Sequence, residues 1–280
     1  MRFLIIIPCH NEEENILPCL DSLEKQSFQN FVCRIVNDGS TDSTQQKVEN
    51  FIGTHSKFRL QNLPPSKHQP GAKVVHTFNQ GLEAHSLEDF DVICKFDADI
   101  VFPSNYLQEV NQCYERNPKA GMVSGLVYIQ KKGKWEFENL SSRRHVRGPI
   151  KSYRLSCFKD IGGLRPVLGW DNIDVMLAQM HTWQVLTLPA LWVKHLRPTA
   201  YKYKNQKAQK LGQYFYNIGL NFPLALMASA KSSWRNKSLT EFMMSITTFL
   251  KQDSERKLSA EEISYIRALR WKKLFRRKNI

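Results

Sequence analysis

An alternation of short apolar runs with helical patterns in the first hundred residues is the feature that most constrains the fold of this chain. Strands are predicted at residues 3–7, 31–36, 58–60 and 92–96, and most of these are compact apolar runs. Between them, apolar side chains recur at helical spacing. Strands that alternate with helices in this way form a parallel sheet. The sequence therefore predicts an α/β fold with a mainly parallel central sheet flanked by helices.

Clusters of acidic and amide side chains directly follow three of these predicted strands, at residues 10–12, 37–42 and 97–99. Ligands of open parallel sheets bind beyond the carboxyl ends of the strands, so we expect the three clusters to meet in one crevice. Asp97 and Asp99 form the most informative pair. Carboxylates at a strand end suit Mg²⁺ or Mn²⁺ held jointly with phosphates, so the crevice is predicted to bind a nucleotide diphosphate and a divalent cation.

Two further residues fit such a ligand. Asp38 can accept hydrogen bonds from a ribose or a base. Lys73 is suited to meet pyrophosphate oxygens. A solvated lysine at a helix start is an equally valid interpretation of Lys73, and the sequence leaves both open.

The predicted elements are both strands and helices up to residue 200, and only helices after it. Strands are predicted at residues 122–129 and 185–188, and a helix at residues 170–180. Residues 211–230 lack charge and approach the length of a membrane span, but they contain several amides and a proline. This pattern favours two packed helices that meet near residues 221–223. Two Ser–Glu capping-box patterns, at 238–241 and 259–262, predict the starts of two further helices.

Charge is distributed unevenly along the chain. Residues 1–100 carry 9 Lys and Arg against 14 Asp and Glu, a balance of −5, whereas residues 101–280 carry 31 against 12, or +19. This asymmetry predicts an anionic partner for the second part of the chain: nucleic acid, an anionic membrane face or a phosphorylated substrate. No nucleic-acid-binding motif is recognisable, so we do not expect nucleic acid to be that partner.

Two basic segments are candidates for anion binding. Residues 267–280 hold seven Lys and Arg, no acid, and Trp271, Leu274 and Phe275. This composition predicts peripheral contact with an anionic membrane, with a solvated charged helix as the alternative. A second cluster is expected in a loop and would bind phosphate. It consists of Arg143, Arg144, Arg147, Lys151 and Arg154.

The cysteines and the first residues predict the compartment. The six cysteines show neither CxxC nor zinc-ligand spacing. The five apolar residues near the N-terminus are too few for a signal-peptide core. We therefore expect a cytoplasmic location with reduced, mostly buried thiols.

Several motifs in this chain resemble those of family 2 glycosyltransferases of the bacterial surface-glycan type. They lie at residues 7–16 (IPCHNEEENI), 37–44 (NDGSTDST), 71–81, 96–99 (FDAD), 162–164 and 169–174 (GWDNID). The resemblance covers about residues 1–200 in the family's order. It implies a GT-A fold, a nucleotide-diphosphate sugar donor, a divalent cation and inversion at the anomeric carbon. It divides the chain into a GT-A domain at 1–200, with a donor half at 1–100 and an acceptor half at 101–200, followed by a basic helical extension at 201–280.

The resemblance also assigns donor and metal residues. Pro8, His10 and Glu12 would line the base pocket, with His10 at a position where the family often has Tyr. Asp38 would contact the base and Asp97 the ribose. In the same scheme Asp99 would ligate the metal together with Asp97, and His195 would complete the metal shell, although a structural histidine after a strand is the alternative. We expect the nucleotide to be UDP, with GDP or dTDP as the next candidates. We expect the acceptor to be a glycan or a lipid-linked oligosaccharide.

The general base is left open by the sequence. The family's usual Glu-Asp-x-Asp pattern is replaced here by Asp171-Asn172-Ile173-Asp174, with Asn at the place of the base. We favour Asp171 as the base, which requires the motif to be shifted by one residue. Asp174 is the alternative base, and a protein with impaired catalysis is a third interpretation. Trp170 is expected to offer a platform for the acceptor sugar, and Arg165 to contact the acceptor. Competing functions are nucleotidyl transfer onto a sugar phosphate and a binding module without turnover.

Overall fold

The computed structural model describes residues 1–65, 71–197 and 207–276, apart from a few side chains near helix ends. These residues form nine strands and ten α-helices. The strands are β1 (Phe3–Cys9), β2 (Phe31–Asp38), β3 (Phe58–Leu63), β4 (Val92–Phe96), β5 (Ile100–Val101), β6 (Ala120–Lys131), β7 (Lys134–Phe137), β8 (Ile150–Arg154) and β9 (Gln184–His195). The helices are α1 (Ile16–Glu24), α2 (Thr44–Ile52), α3 (Ala72–Glu83), α4 (Tyr106–Arg116), α5 (Leu155–Asp160), α6 (Trp170–Met180), α7 (Lys207–Asn217), α8 (Phe222–Asn236), α9 (Leu239–Leu250) and α10 (Ala260–Arg276).

All nine strands belong to one sheet in the order β3-β2-β1-β4-β8-β6-β9-β5, with β7 paired to β6. The first four strands in that order are parallel. Strand β8 enters antiparallel between β4 and β6, and β9 then pairs in parallel with β6. The predicted α/β class is confirmed, and the parallel pairing is concentrated in the donor half. The carboxyl ends of β1, β2 and β4 therefore lie at one edge.

The apolar run of β1 supplies both faces of the core. Its alternate residues Phe3, Ile5 and Ile7 pack with α1, α2 and α4 on one face of the sheet. Leu4 and Ile6 pack on the other face with α3, α5, α6 and residues of the C-terminal helices. All five side chains are fully buried, and each such burial contributes about 1.5–3 kcal/mol. A strand buried on both faces has no polar alternation, which is why it appears in the sequence as a continuous apolar run.

The prediction of a basic loop at residues 143–154 is wrong in its second half. Residues 150–154 form the central strand β8, and Lys151 is fully buried there. The Arg154 guanidinium donates to the carbonyl oxygens of Ala120, Tyr114 and Asn117, so it ties β8 to neighbouring elements. Local sequence patterns did not predict this strand, because the partners of its charged side chains lie far away in the sequence.

The C-terminal helices follow the capping patterns. Residues 211–230 divide between α7 and α8 as predicted, and the Asn221 side chain caps α8 by accepting from Leu224 N at 3.2 Å. Ser238 caps α9, and Ser259 and Glu262 form a reciprocal capping box at the start of α10. Within the described ranges, no helix is both long and apolar enough to cross a membrane.

Candidate active site

The loops after β1, β2 and β4 meet at the carboxyl edge of the sheet, as predicted. His10 Nδ1 lies 2.7 Å from the main-chain oxygen of Asp38, which links the first two loops. Asn11, at a positive φ of 54°, donates its N–H to Ser40 Oγ at 2.9 Å. Arg197 then joins the first loop to the third, because its guanidinium contacts both Glu12 and Asp99.

Asp38 and Lys73 form the wall of this crevice nearest α3. Asp38 ends β2 and is only 5% exposed. Its carboxylate accepts from Thr77 Oγ1 at 3.2 Å and lies 3.1 Å from Lys73 Nζ. The first turn of α3 therefore directs an ammonium group into the crevice, which excludes the solvated interpretation of Lys73.

Asp97 and Asp99 have different partners although they are one residue apart. Asp97 is partly exposed and ion-paired with Lys95, a buried residue of β4. Asp99 is buried, with Oδ2 lying 3.4 Å from Arg197 Nη2 and Oδ1 lying 3.4 Å from His195 Nε2. The residue between the two aspartates, Ala98, is buried in the core, and the two carboxylates belong to the turn that follows β4.

His195 is held from its other side by an acid that the sequence analysis missed. Its Nδ1 lies 3.3 Å from Glu138 Oε2, and Glu138 is also ion-paired with Arg147. Burial alone would lower the pKa of His195, but the attraction of the Asp99 and Glu138 carboxylates outweighs it and raises this pKa to about 9. Glu138 carries no motif signal, since it follows a short hairpin strand and meets His195 only through the fold.

The donor set at Asp99 suits a divalent cation that is shared with a phosphate ligand. Asp99 Oδ1 is buried and accepts no hydrogen bond, and it faces the imidazole nitrogen Nε2 of His195. No group of three metal-ligating side chains is gathered within the part of the chain described here. Mg²⁺ and similar ions in phosphate-binding sites commonly use one or two protein ligands and take the rest from phosphate and water. Asp99 and His195 fit that pattern.

The start of α6 brings Asp171 to the same region through two lysines. Trp170 is buried, and the ammonium groups of Lys95 and Lys151 lie 5.2 and 5.4 Å from its ring centroid. Lys95 contacts Asp97, and Lys151 donates to the main-chain oxygen of Asp171 at 2.7 Å. Asp171 itself is partly exposed in the first turn of α6.

Asp174, the alternative base, is enclosed. It is 2% exposed, and Lys151 Nζ donates to both of its oxygens, at 2.8 and 2.6 Å. Tyr153 donates a further hydrogen bond at 2.5 Å. Burial raises the pKa of Asp174 against the opposing effect of Lys151. A carboxylate held this way has no open path to an acceptor hydroxyl, so the geometry favours Asp171.

Trp170 and Arg165, the two residues expected at the acceptor, both make contacts within the protein. Burial of Trp170, with two ammonium groups over its ring, leaves little surface on which a sugar could stack. Arg165 donates to Gly162 O at 2.8 Å and to Glu262 of α10 at 2.7 Å. In these positions both residues connect elements of the fold around α6. Pro8, the remaining donor-site residue, is partly exposed near the end of β1.

The fold agrees with a comparison to known families. Residues 4–164, more than half of the chain, match the model of Glycosyl transferase family 2. The chain belongs to that family, and the matched region contains Asp38, Asp97 and Asp99.

Curated relatives support the same assignment. The poly-β-1,6-N-acetyl-D-glucosamine synthase of Staphylococcus epidermidis is 28% identical over 45% of this chain and 29% of its own length. The amylovoran biosynthesis glycosyltransferase AmsB of Erwinia amylovora is 31% identical over 46% of this chain and 41% of its own. The chain thus spans less than half the length of these relatives.

Solved structures establish the fold as GT-A. The mannosyltransferase PcManGT of Pyrobaculum calidifontis, in complex with GDP-Man and Mn²⁺, aligns with a TM-score of 0.59 at 16% identity, covering 98% of this chain and 75% of its own. Residues 1–349 of TarS from S. aureus, in complex with UDP, align with a TM-score of 0.56 at 16% identity, covering 93% and 95%.

Proposed function

We propose that this protein transfers a sugar from a nucleotide-diphosphate sugar to a hydroxyl group of a glycan or lipid-linked acceptor, with inversion at the anomeric carbon. The convergence of Asp38, Asp97 and Asp99 on one crevice, in a family 2 chain, carries the proposal. In this scheme residues 1–200 perform the reaction and the helices after residue 200 support it. The nucleotide is UDP in first place, since TarS is solved with UDP and with UDP-GlcNAc, and GDP or dTDP come next.

In this proposal the donor lies across the loops that follow β1, β2 and β4. Pro8, His10 and Glu12 line the base, where the exposed imidazole of His10 can stack on the ring. Asp38 accepts a hydrogen bond from the base, and Asp97 accepts from the ribose hydroxyls. The contact between Lys73 and Asp38 supports a role for that ammonium group near the pyrophosphate.

Asp99 and His195, with Asp97 beside them, are the residues that would hold Mn²⁺ or Mg²⁺. When bound, a divalent cation supplies positive charge that neutralises the departing nucleotide diphosphate. Asp99 Oδ1, which is buried without a hydrogen bond and lies 3.4 Å from His195 Nε2, supports this assignment. Arg197 adds a fixed positive charge at the same place, since its guanidinium already contacts Asp99 and Glu12.

Asp171 is the proposed general base. The acceptor oxygen forms a bond to the anomeric carbon on the face opposite the diphosphate, while the bond from that carbon to the diphosphate oxygen breaks with its electron pair. Asp171 takes the proton that the acceptor hydroxyl loses. Lys151 supports this role, because one ammonium group holds both the Asp171 main chain and the Asp174 carboxylate.

Replacement of Asp171 by Asn tests the base. An amide cannot take the proton, so we expect transfer to fall by about 10²–10⁴-fold, while donor affinity stays within twofold. Asp21→Asn, on the exposed side of α1, is the matched control and should leave both unchanged. Transfer that continues undiminished in the Asp171→Asn protein would remove Asp171 from the mechanism.

Titration calorimetry with UDP, GDP and dTDP, each with and without Mn²⁺, tests the donor site. We expect one nucleotide to bind more tightly with Mn²⁺, and Asp99→Ala to abolish that gain. If none of the three nucleotides binds, the donor proposal fails, although the family assignment stands.

A peripheral contact with the inner face of the cytoplasmic membrane completes the proposal. In α10, Leu274 and Phe275 are 38% and 62% exposed beside the exposed Lys272 and Lys273. Such a mixture suits an anionic lipid surface, where a lipid-linked acceptor would be found. Residues 277–280, the end of the predicted basic segment, lie outside the described residues.

A further inference from the structure

The largest concentration of exposed apolar side chains lies on helices α8 and α9 rather than on α10. Of the thirteen large apolar residues that are exposed in the described part of the chain, eight belong to these two helices. They are Phe222, Leu226, Met227 and Trp234 on α8, and Leu239, Met243, Met244 and Leu250 on α9. We call these eight residues the α8–α9 surface. Trp234 is 86% exposed and Leu239 is 76% exposed, on either side of the short turn that joins the helices.

The inner side of this helix pair explains why the apolar side chains point outward. Ser229 of α8 and Ser245 of α9 are fully buried and share a hydrogen bond of 2.6 Å between their hydroxyl groups. Gly212 of α7 packs so closely on α9 that a Cβ there would lie 2.2 Å from Ser245 O. Small side chains thus fill the tightest part of the interior, beside the buried Leu224 and Phe249, and eight large apolar residues remain outside it.

The helix pair thus turns large apolar residues outward as well as inward, whereas an ordinary surface helix turns them inward. Exposed residues of α9 fall at positions 239, 240, 243, 244, 247 and 250, so they share one broad face of the helix. Contiguous apolar patches of this kind mark interaction surfaces. Trp234 is especially informative, since Trp is enriched where apolar and aqueous phases meet.

The charges around the surface identify its occupant. Lys231, Lys237 and Lys251 are exposed on α8, in the turn and directly after α9. Glu241 is the single acid between residues 222 and 251. A second copy of the chain, docked by the same surface, would set these lysines against each other, which is unfavourable. A lipid bilayer with anionic headgroups satisfies both the apolar residues and the lysines.

We propose that the α8–α9 surface docks on an anionic membrane, with the two helices lying in the interface plane. This inference deepens the peripheral contact proposed above for α10 and places its main site elsewhere. It requires no spanning helix, and none is found among the residues that the structure describes. The donor crevice uses none of these eight residues, so docking and donor binding can be measured separately.

Vesicle flotation of the full chain tests the proposal. Phosphatidylcholine vesicles with and without phosphatidylglycerol are compared for the wild type and for the triple variant Trp234→Ser, Leu239→Ser, Met243→Ser. We expect binding to the anionic vesicles only, and a loss of about tenfold or more in the triple variant. Replacement of Lys231, Lys237 and Lys251 by Gln should weaken binding and remove its salt dependence.

Matched controls isolate the surface. Leu140→Ser changes an exposed leucine that lies outside it, and Leu274→Ser with Phe275→Ser changes α10. The first should bind vesicles like the wild type, and the second should lose less than the triple variant. Equal vesicle binding by wild type and triple variant overturns the proposal. So does a dimer, seen by analytical ultracentrifugation, that the triple variant dissociates. Unchanged UDP affinity in all variants shows that the donor proposal is unaffected by either result.

Discussion

Glu138 connects His195, which we propose as a metal ligand, to the rest of the protein. Its carboxylate contacts His195 Nδ1 and the Arg147 guanidinium, and it is 3% exposed. A carboxylate that accepts from one imidazole nitrogen fixes the ring and directs the other nitrogen toward a ligand. In this protein that other nitrogen faces Asp99. Glu138 is therefore a positioning residue.

Glu138→Gln should weaken Mn²⁺ affinity, measured by calorimetry in the presence of UDP, by about 10–100-fold. The amide keeps the size of the side chain but no longer balances the charges of His195 and Arg147. UDP affinity without metal should stay unchanged. Glu136→Gln, two residues earlier and exposed on β7, is the matched control. Equal Mn²⁺ affinity in both variants would falsify the positioning role.

Residue type and spacing predicted that carboxylates stand at the strand ends, but they did not predict which side chains surround each carboxylate. Asp38, Asp97 and Asp99 stand at strand ends, and strand ends are readable from apolar runs. Asp171 and Asp174 look equivalent in the sequence, yet one is partly exposed and the other is enclosed by Lys151 and Tyr153. Those partners lie about twenty residues away on β8, so only the folded chain distinguishes the two acids.

Helices and strands differ in how well local sequence foretells them. Capping residues act within one turn. Ser238 and Ser259 cap helices as their patterns predicted, and Asn221 caps α8 in the same way. Strand β8 was missed because its signal depends on tertiary partners: Lys151 is buried only because Asp174 lies opposite. A central strand with charged side chains is therefore difficult to predict from local sequence patterns.

The packing of α7 on α9 gives a prediction for this pair of elements. Gly212→Ala would place a methyl group 2.2 Å from Ser245 O and 2.9 Å from Thr248 Cβ, so the helices must separate. We expect a loss of about 1–3 kcal/mol in the free energy of unfolding, measured by urea denaturation.

The control for Gly212→Ala is Gly53→Ala, at the end of α2. A Cβ at that position meets Asn50 O at an ordinary 3.5 Å, and its φ of −56° suits any residue. This variant should be as stable as the wild type or slightly more stable. Two variants of equal stability would show that α7 and α9 do not pack as closely as described.

Across the whole molecule, stability should depend on pH on the acid side. Burial lowers the pKa of His145 from its ordinary 6.5 to about 4, together with the charges of Lys151, Arg147 and Lys273, while Asp171 opposes the shift. Above pH 6.5 the unprotonated ring costs nothing on folding. As the pH falls from 6.5 toward 4, the unfolded chain binds a proton that the folded protein does not, so stability declines.

His145→Gln should reduce this decline in thermal unfolding measured from pH 7 to pH 4. His181→Gln, which changes an exposed histidine after α6, should retain the wild-type slope. The net charge of +14 at pH 7 grows more positive on acidification and contributes its own repulsion to every variant. A slope that His145→Gln leaves intact would assign the acid sensitivity to that general repulsion.

The contacts between α10 and α6 have a consequence for the order of events during synthesis. Arg165 is bound by Glu262, and Arg270 of α10 reaches Tyr214 and the sulfur of Met176 in α6. The helix that carries Asp171 is thus covered by residues translated about a hundred positions later. While the ribosome is still adding them, the donor half can already close its sheet. On the proposed function, the nascent protein should bind nucleotide before it can perform transfer, since the helix that carries Asp171 is covered only after α10 has been made.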